Sequence, residues 1–417
     1  MMLPAPAPPS PADAPPASVR VGRQAIFDRQ LEVFGYELLF RSADSGNRCT
    51  SIDGDNATSS TILNAFIEIG FDRLTGGKPA FLNLTRNFFT EMPHLPFQPD
   101  AVVLEVLEDI PVDDRLIEAV RQLHDQGYRV ALDDYLFEQR WQPLLPWVDI
   151  VKVEITEQSL AEMPHRTAPL RERGLTLLAE KVETREQYRF LLECGFELFQ
   201  GYFFARPEVI REDRLPESHL VVIRLLAQLN DPQVEIEQIA ELIAQDPALS
   251  YKMLRLINSA AVGLSRQVDS IHQAVVLLGL QRVRAWASLF VMAGVDHAPS
   301  ELLHLGLFRA ALCERLSRQS GIGRPDTGYT MGLLSILDGL LSLPMAQAVQ
   351  ELPLPPEIQR AISHHEGEHG LLLRAALALE AGTPLPKDSR LQLDDNSLMD
   401  TFLAASEQAF AVLDALH

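Results

Sequence analysis

The chain has 417 residues, which suits two or three globular domains, and 47% of them are hydrophobic, enough for real cores. It carries 57 acidic residues against 36 basic ones, for a formal net charge of -21 at pH 7. This balance argues against a general nucleic-acid-binding protein, because phosphate backbones are held by clustered Lys and Arg. A small anionic substrate would need bridging cations.

Cysteine usage and terminal composition point to a soluble cytoplasmic protein. Cys49, Cys194 and Cys313 show no metal or disulfide spacing, so we expect buried thiols in a reducing compartment. Residues 1–19 are rich in Pro and Ala and lack the basic start and apolar core of a signal peptide, which indicates a flexible tail. No apolar run approaches the roughly 18–20 residues that span a bilayer.

Between residues 20 and 207 the chain alternates short strand-like runs with helical ones. The predicted elements are, in order, hairpin-like strands at 25–27 and 33–40, a helix at 60–69, strands at 80–84 and 102–106, a helix at 113–125, strands at 130–132 and 149–153, a helix at 158–173, a strand at 175–179, a helix at 184–193 and a strand at 196–199. Gly127, Gly174 and Gly195 end three of these helices. Such alternation predicts a parallel sheet or barrel.

Strand patterns vanish after Pro207, and amphipathic helices separated by Asp-Pro, Gly or Pro follow. Examples are predicted at 236–244, 248–258, 271–278 and 282–292. The sequence therefore predicts a barrel domain at 20–207 and an all-α domain at 208–417.

Acidic or amide side chains recur where predicted strands end. They are Glu37, Asn83, Glu105, the pair Asp133 and Asp134, and Glu180. Any one alone would more often be a helix cap or a solvated surface group. Together they favour the C-terminal rim of a TIM-like (β/α) barrel, where such folds keep their chemistry. Carboxylate and amide oxygens are the ligands that Mg2+ and Mn2+ prefer, so the set predicts a divalent-metal site.

A collinear series of motifs in the first half resembles the EAL domain family of bacterial cyclic di-GMP phosphodiesterases. Residues 37–41 (Glu-Leu-Leu-Phe-Arg) stand where the name-giving motif belongs, and residues 179–184 (Ala-Glu-Lys-Val-Glu-Thr) and 200–204 (Gln-Gly-Tyr-Phe-Phe) continue the match. The second half resembles the HDOD domain, with residues 246–250 (Asp-Pro-Ala-Leu-Ser) and 270–280 among its marks. The order of the two looks like a known two-domain signalling family.

The resemblance implies a role for each polar residue. Glu37, Asn83, Glu105, Asp133 and Asp134 would hold Mg2+ or Mn2+. Glu180 would be the general base or orient the water, with Lys152 and Glu183 in the catalytic set, while Arg41 and Gln200 would bind substrate. The implied reaction opens cyclic di-GMP to linear pGpG. Taken singly, Lys152 could be a surface charge, Asn83 a turn residue and Gln200 a strand end.

Two departures from the family pattern are expected to affect the rate of turnover. Active EAL enzymes have a glycine-rich loop after the Asp-Asp pair, whereas residues 135–141 contain no glycine, so the tight backbone that Gly permits is expected to be lost. Lys181 stands where Gly is usual, and we expect it to pair with Glu180 and lower its basicity. Both changes predict slow catalysis.

The helical half lacks the His-Asp pair of an HD phosphohydrolase, because the single His-Asp dipeptide is His124-Asp125 in the first half. The cluster at 364–369 is interpreted as a solvated helix end. The HDOD resemblance therefore implies an interaction module for an unidentified signalling protein, and a homodimer is left open. The two functional hypotheses are a phosphodiesterase, favoured by the complete polar set, and a non-catalytic cyclic di-GMP receptor or scaffold, favoured by the altered loop.

Overall fold

The structure is a computed structural model that describes residues 19–42, 71–91, 95, 97–201, 225–231, 233–244, 247–259, 262, 264, 267–293, 300–341, 343–350, 352–391 and 393–416. The predicted helix at 60–69, Cys49, the predicted boundary at 207 and the side chain of Arg41 lie outside the described residues.

Eight strands close into a barrel in chain order, as the strand-helix alternation predicts. They are β1 (Val19–Phe27), β2 (Val33–Ser42), β3 (Ala80–Leu84), β4 (Val102–Val106), β5 (Arg129–Leu132), β6 (Ile150–Glu154), β7 (Thr176–Glu180) and β8 (Leu198–Gln200). β1 runs antiparallel to both of its neighbours, β2 and β8, and the other neighbours are parallel. This first strand distinguishes the barrel from an all-parallel one.

Two of the barrel helices begin at capping side chains. The described helices of the barrel are α1 (Phe71–Thr75), α2 (Arg86–Glu91), α3 (Asp114–Asp125), α4 (Met163–Glu172) and α5 (Arg185–Glu193). Asp113 caps α3 by accepting from Leu116 N–H, and Thr184 forms a capping box with Gln187 at α5. The predicted helix at 158–173 begins later, because a 3-10 turn at Leu160–Glu162 precedes α4 and a proline occupies the first turn of α4.

The barrel interior has an apolar layer and a polar layer above it. The apolar layer consists of Ile26, Phe81, Val103, Ala131, Ile150, Leu178 and Leu198. Side chains two positions apart along a strand point to the same side, so residues two positions after six of these also face the interior. This polar layer consists of Asn83, Glu105, Asp133, Lys152, Glu180 and Gln200. The barrel interior is therefore apolar in its lower layer and polar at the C-terminal ends of the strands.

Helices make up the described part of the second half, as predicted. They are α6 (Ile236–Ala244), α7 (Pro247–Ile257), α8 (Ile271–Leu278), α9 (Leu280–Ala293), α10 (Ser300–Ser320), α11 (Pro325–Leu334), α12 (Leu337–Leu341), α13 (Met345–Gln350), α14 (Pro356–His364), α15 (Gly367–Glu380) and α16 (Asp395–Leu416). The long helix α10 packs against α11, α15 and α16. Within the described residues, no helix is both long and apolar enough to cross a membrane.

The helical half packs directly on the first strand of the barrel. Helices α15 and α16 both contact β1. A Cβ at Gly22 would lie 2.7 Å from the backbone nitrogen of Gly382, so the close approach of the two backbones requires glycine. Cys194 and Cys313 are buried free thiols as expected, and burial raises the pKa of Cys313 to about 12.

Candidate metal centre

Lys152 lies fully buried at the centre of the polar layer and contacts four carboxylates. Its Nζ is 2.6 Å from Asp133, 2.8 Å from Glu105, 3.1 Å from Glu180 and 3.6 Å from Glu37. Strands β2, β4 and β7 supply Glu37, Glu105 and Glu180, and β6 supplies the lysine. Asp133 follows the last residue of β5. The sequence prediction that these groups converge at one end of the barrel is therefore realised in their geometry.

Glu37 is held in place by two amide side chains. Asn83 Nδ2 donates to Glu37 Oε1 at 2.9 Å, and Gln200 Nε2 donates to Glu37 Oε2 at 2.6 Å. Gly201 follows Gln200 with φ of 147°, and a Cβ there would collide with the carbonyl oxygen of Val182. The glycine therefore lets the end of β8 approach β7 and sets the position of Gln200.

A second group of acidic side chains lies beside the four carboxylates that contact Lys152. Glu108, Asp133 and Asp134 each offer a carboxylate oxygen, and these oxygens all lie within 4.8 Å of one another. Asp133 belongs to both groups, because its Oδ1 also contacts Lys152. Sequence reasoning missed Glu108, although its place three residues after Glu105, just beyond the end of β4, was a usable signal.

Burial and the shared lysine set the charges of the site. Burial raises the pKa of Glu105 well above its usual value and that of Glu180 to about 8. Burial acts in the same direction on Glu37, but Lys152 and the Gln200 hydrogen bond outweigh it and lower that pKa. Burial alone would lower the pKa of Lys152, yet Glu105, Glu180 and the other carboxylates raise it well above normal. One lysine therefore does not balance the carboxylates around it.

The donor set fits divalent cations. Asn83 Oδ1, Glu105 Oε2 and Glu180 Oε2 are buried oxygens without a hydrogen-bond partner among the described residues. Buried polar atoms are rarely left in this state, because each costs free energy. Hard cations bind carboxylate and amide oxygens, and positive charge would also relieve the excess of carboxylates. Glu37, Asn83, Glu105, Asp133 and Asp134 are the residues that could hold such ions.

Of the remaining predicted site residues, Glu183 lies apart from this arrangement. Glu183 is exposed ahead of α5 and is not one of the four carboxylates that contact Lys152, and its backbone N–H donates to Gln187 Oε1. The Arg41 side chain lies outside the described residues, although its backbone pairs with Arg20 in the β1–β2 ladder.

The loop without glycines nevertheless makes glycine-like turns. Asp134 and Phe137 have φ of 41° and 59°, in the left-handed region. Tyr135 and Trp141 are buried, and Tyr135 N–H donates to the carbonyl of Lys152 at 2.9 Å. Within residues 135–141, Phe137 therefore holds a left-handed turn without glycine, between the buried side chains of Tyr135 and Trp141. The effect of the altered loop on turnover stays a prediction.

Lys181 does not pair with Glu180 as expected. Its Nζ lies 2.6 Å from Glu154 Oε2 and its side chain is 63% exposed, while its backbone has a φ of 56°. The pKa of Glu180 is raised by burial, so the predicted loss of basicity is also wrong. The departure at this position affects the backbone and the outer surface of the site.

His364 and His369, from the predicted cluster at 364–369, form contacts typical of helix ends. His364 Nδ1 lies 2.7 Å from Ser363 Oγ, and His369 Nε2 accepts from Arg324 N–H at 3.3 Å. Among the residues that the structure describes, the acidic group with Glu108 is the one metal-ligand cluster of three or more His, Cys, Asp or Glu.

The raised pKa of Glu180 predicts a pH dependence of stability without divalent cations. A carboxyl whose pKa rises from 4.5 to about 8 on folding stabilises the fold fully below its unfolded pKa, and this contribution is lost as the pH rises through about 8. We expect the melting temperature in EDTA to fall between pH 5.5 and 8.5 more steeply for the wild type than for Glu180→Gln. Parallel curves for the two proteins would contradict this charge assignment.

Comparison with known proteins identifies both halves. The EAL domain family model matches residues 73–207, and the HDOD domain family model matches residues 215–368. The EAL match begins beyond β2, so the assignment of Glu37 rests on the barrel register and on its contacts with Asn83, Lys152 and Gln200.

Two curated relatives match across most of their length. Uncharacterized protein YuxH of Bacillus subtilis is 34% identical over 408 residues, covering 95% of this chain and 99% of the relative. Cyclic di-GMP phosphodiesterase CdgJ of Vibrio cholerae is 32% identical over 357 residues, covering 85% and 83%. Among solved structures, a Klebsiella pneumoniae BlrP1 calcium/cy-diGMP complex is 23% identical with a TM-score of 0.38, covering 45% of this chain and 55% of that chain.

Proposed function

Because this chain belongs to the family that joins an EAL domain to an HDOD domain, we propose that it hydrolyses cyclic di-GMP to linear pGpG with Mg2+ or Mn2+. The observation that carries the proposal is the buried group of Glu37, Glu105, Asp133 and Glu180 around one lysine. CdgJ, which matches over most of both chains, is a cyclic di-GMP phosphodiesterase by name.

The residues of the site would have different roles in such a hydrolysis. Divalent cations bound here would neutralise the phosphodiester charge and lower the pKa of the attacking water. Glu37 is fixed by Asn83 and Gln200, which keeps one carboxylate oriented. Glu180 Oε2, buried and without a partner among the described residues, is placed to accept a proton from water. Lys152 holds the carboxylates together before the cations bind.

We assign residues 20–207 to the barrel domain, whose first strand begins one residue earlier at Val19, and 208–417 to the helical domain. The helical domain serves as an interaction and regulatory module, since residues 208–417 contain no His-Asp dipeptide of an HD phosphohydrolase. Cyclic di-GMP is the small-molecule partner, and an unidentified signalling protein is the partner of the helical domain.

The second candidate function is a cyclic di-GMP receptor without turnover, favoured by the strained loop at 133–141. Purified full-length protein incubated with cyclic di-GMP and Mn2+ or Mg2+, with the linear product followed by chromatography, separates the two. Product that depends on the metal supports the enzyme. Nucleotide binding without product supports the receptor.

A loop graft is expected to raise turnover. Tyr135 and Trp141 are buried anchors, so the graft replaces residues 136–140 with a glycine-rich segment and adds Lys181→Gly. Glycine removes the strain at Phe137 and Lys181, whose φ values are positive. If the departures cost about 3–4 kcal/mol of transition-state stabilisation, turnover should rise roughly 100- to 1000-fold.

The measurement is linear product formed at saturating Mn2+. Lys181→Gly alone serves as the partial control, since it leaves the loop unchanged. Equal rates for the wild type and the graft would mean that the loop does not limit turnover.

A further inference from the structure

Arg23 of β1 reaches out of the barrel into the helical half. Its side chain is buried, and its Nη1 donates to the carbonyl of Leu74 at 2.8 Å and to Ser406 Oγ of α16 at 3.0 Å. Its Nη2 lies 2.9 Å from Nδ1 of His304 on α10. Burial and the guanidinium lower the pKa of His304. A ring nitrogen of His304 accepts from Arg23, because a guanidinium can only donate.

Three aromatic rings enclose the same guanidinium. Its carbon lies 4.9 Å from the ring centre of Tyr36, 4.9 Å from that of Phe308 and 5.0 Å from that of Phe410. Tyr36 belongs to the barrel, whereas Phe308 and Phe410 belong to α10 and α16. A desolvated cation among aromatic faces is a strong and orientation-dependent contact. Arg23 therefore holds β1, β2 and two helices in one arrangement.

Tyr36 makes the second connection. Its hydroxyl donates to Glu301 Oε2 of α10 at 2.8 Å, and both residues are buried. Its ring also contacts the ring of Phe410, with centres 6.2 Å apart. Removing the hydroxyl would leave Glu301 Oε2 without this donor, although Glu301 Oε1 still lies 3.7 Å from His304 Nδ1. The pair therefore ties β2 to α10.

Strand β2 also carries Glu37 of the site, and β1 pairs with it. Tyr36 and Glu37 are neighbours on β2, and successive side chains of a strand point to opposite sides. Tyr36 faces the helices, and Glu37 faces Lys152, Asn83 and Gln200. On β1, Gln24 pairs in register with Glu37 and is the neighbour of Arg23. A displacement of either strand at the helical interface therefore moves Glu37.

We propose that Arg23 and Tyr36 are positioning residues through which α10 and α16 set the place of Glu37, so that cation binding in the barrel depends on the contact with the helical half. This rests on the proposed function, because Glu37 is taken there as a metal-holding residue. A protein partner that pulls α10 away from Tyr36 would weaken cation binding without touching the barrel interior. The helical half thereby controls the site.

The test compares two buried tyrosines that each lose only a hydroxyl. Tyr36→Phe cuts the link to Glu301. Tyr329→Phe is the matched control, since Tyr329 is buried within the helical half between Trp286 and Arg282. Mn2+ alone is titrated into full-length protein by calorimetry, and thermal unfolding reports the stability of each variant. Arg23→Lys, which keeps the charge and loses the planar fork, is measured alongside.

We expect Tyr36→Phe to weaken Mn2+ binding about 10-fold, which is the lower end of the loss of affinity seen when residues that support metal ligands are mutated. Tyr329→Phe should leave Mn2+ binding unchanged. Arg23→Lys should weaken it in the same direction. Coupling is reciprocal, so Mn2+ should slow hydrogen exchange of the α10 amides in the wild type and do so less in Tyr36→Phe.

The outcomes separate this inference from the proposed function. A wild type that binds no Mn2+ overturns the proposed metal site and this inference with it. A wild type that binds Mn2+, together with a folded Tyr36→Phe that binds it equally well, overturns the positioning role alone. If Tyr36→Phe does not fold, Glu301→Gln weakens the same bond from the helical side, and unchanged Mn2+ binding in that variant also overturns the role.

Discussion

Asp133→Asn is expected to lower hydrolysis of cyclic di-GMP by at least about 1000-fold, equivalent to roughly 4 kcal/mol of transition-state stabilisation. Asp133 is the carboxylate shared by the two acidic groups, with Oδ1 2.6 Å from Lys152 Nζ and an oxygen within 4.8 Å of those of Glu108 and Asp134. Its loss removes ligand charge from both groups at once, and the amide keeps the shape of the side chain. Glu37→Ala is expected to lower the rate to a similar extent.

Linear product is measured by chromatography at saturating Mn2+ for each variant. Asp125→Asn is the matched control, because Asp125 is an exposed carboxylate at the end of α3 and its change leaves the barrel interior intact. Activity near that of the wild type in Asp133→Asn would show that this site does not carry the reaction.

Lys152→Met is expected to destabilise the protein by about 3–5 kcal/mol in EDTA, because it leaves buried carboxylates without their cation. In a domain of this size the loss corresponds to a melting temperature lower by roughly 10 °C. Lys152 is fully buried and contacts Glu105, Asp133 and Glu180 within 3.1 Å. Met keeps most of the apolar length of the side chain, so the loss of charge dominates.

Thermal unfolding in EDTA and in excess Mn2+ measures this effect. We expect Mn2+ to restore part of the stability, because divalent cations replace the missing positive charge. The carboxylates of the variant must take up protons to remain buried, so their folded pKa values rise further and stability is lost as the pH increases. The variant should therefore melt higher at pH 5.5 than at pH 8.5.

Lys181→Met is the control for this experiment. Lys181 pairs with Glu154 at 2.6 Å but is 63% exposed, and such surface pairs contribute about 0–1 kcal/mol. If Lys152→Met melted at the same temperature as Lys181→Met in EDTA, the central lysine would not be the counter-ion of the site.

The barrel and most of the side chains that converge at its polar end could be predicted from the sequence, for a local reason. Strand periodicity and the residues that end each strand are visible in windows of a few positions. Asn83, Glu105 and Glu180 point into the barrel because side chains two positions apart on a strand face the same side. Each follows an interior residue by two positions, namely Phe81, Val103 and Leu178. The same local patterns predicted strands Ala80–Leu84 and Val102–Val106 with their observed bounds.

Only the tertiary structure decided how these residues interact, because charge and pKa depend on distances between residues far apart in the chain. It placed Lys152 among four carboxylates, raised the pKa of Glu180 instead of lowering it, and paired Lys181 with Glu154. The antiparallel direction of β1 is likewise a property of the closed sheet. The burial of Arg23 against α10 and α16 could not be read from the sequence, since the aromatic rings around it come from positions about 280 to 390 residues later in the chain, or from the neighbouring strand.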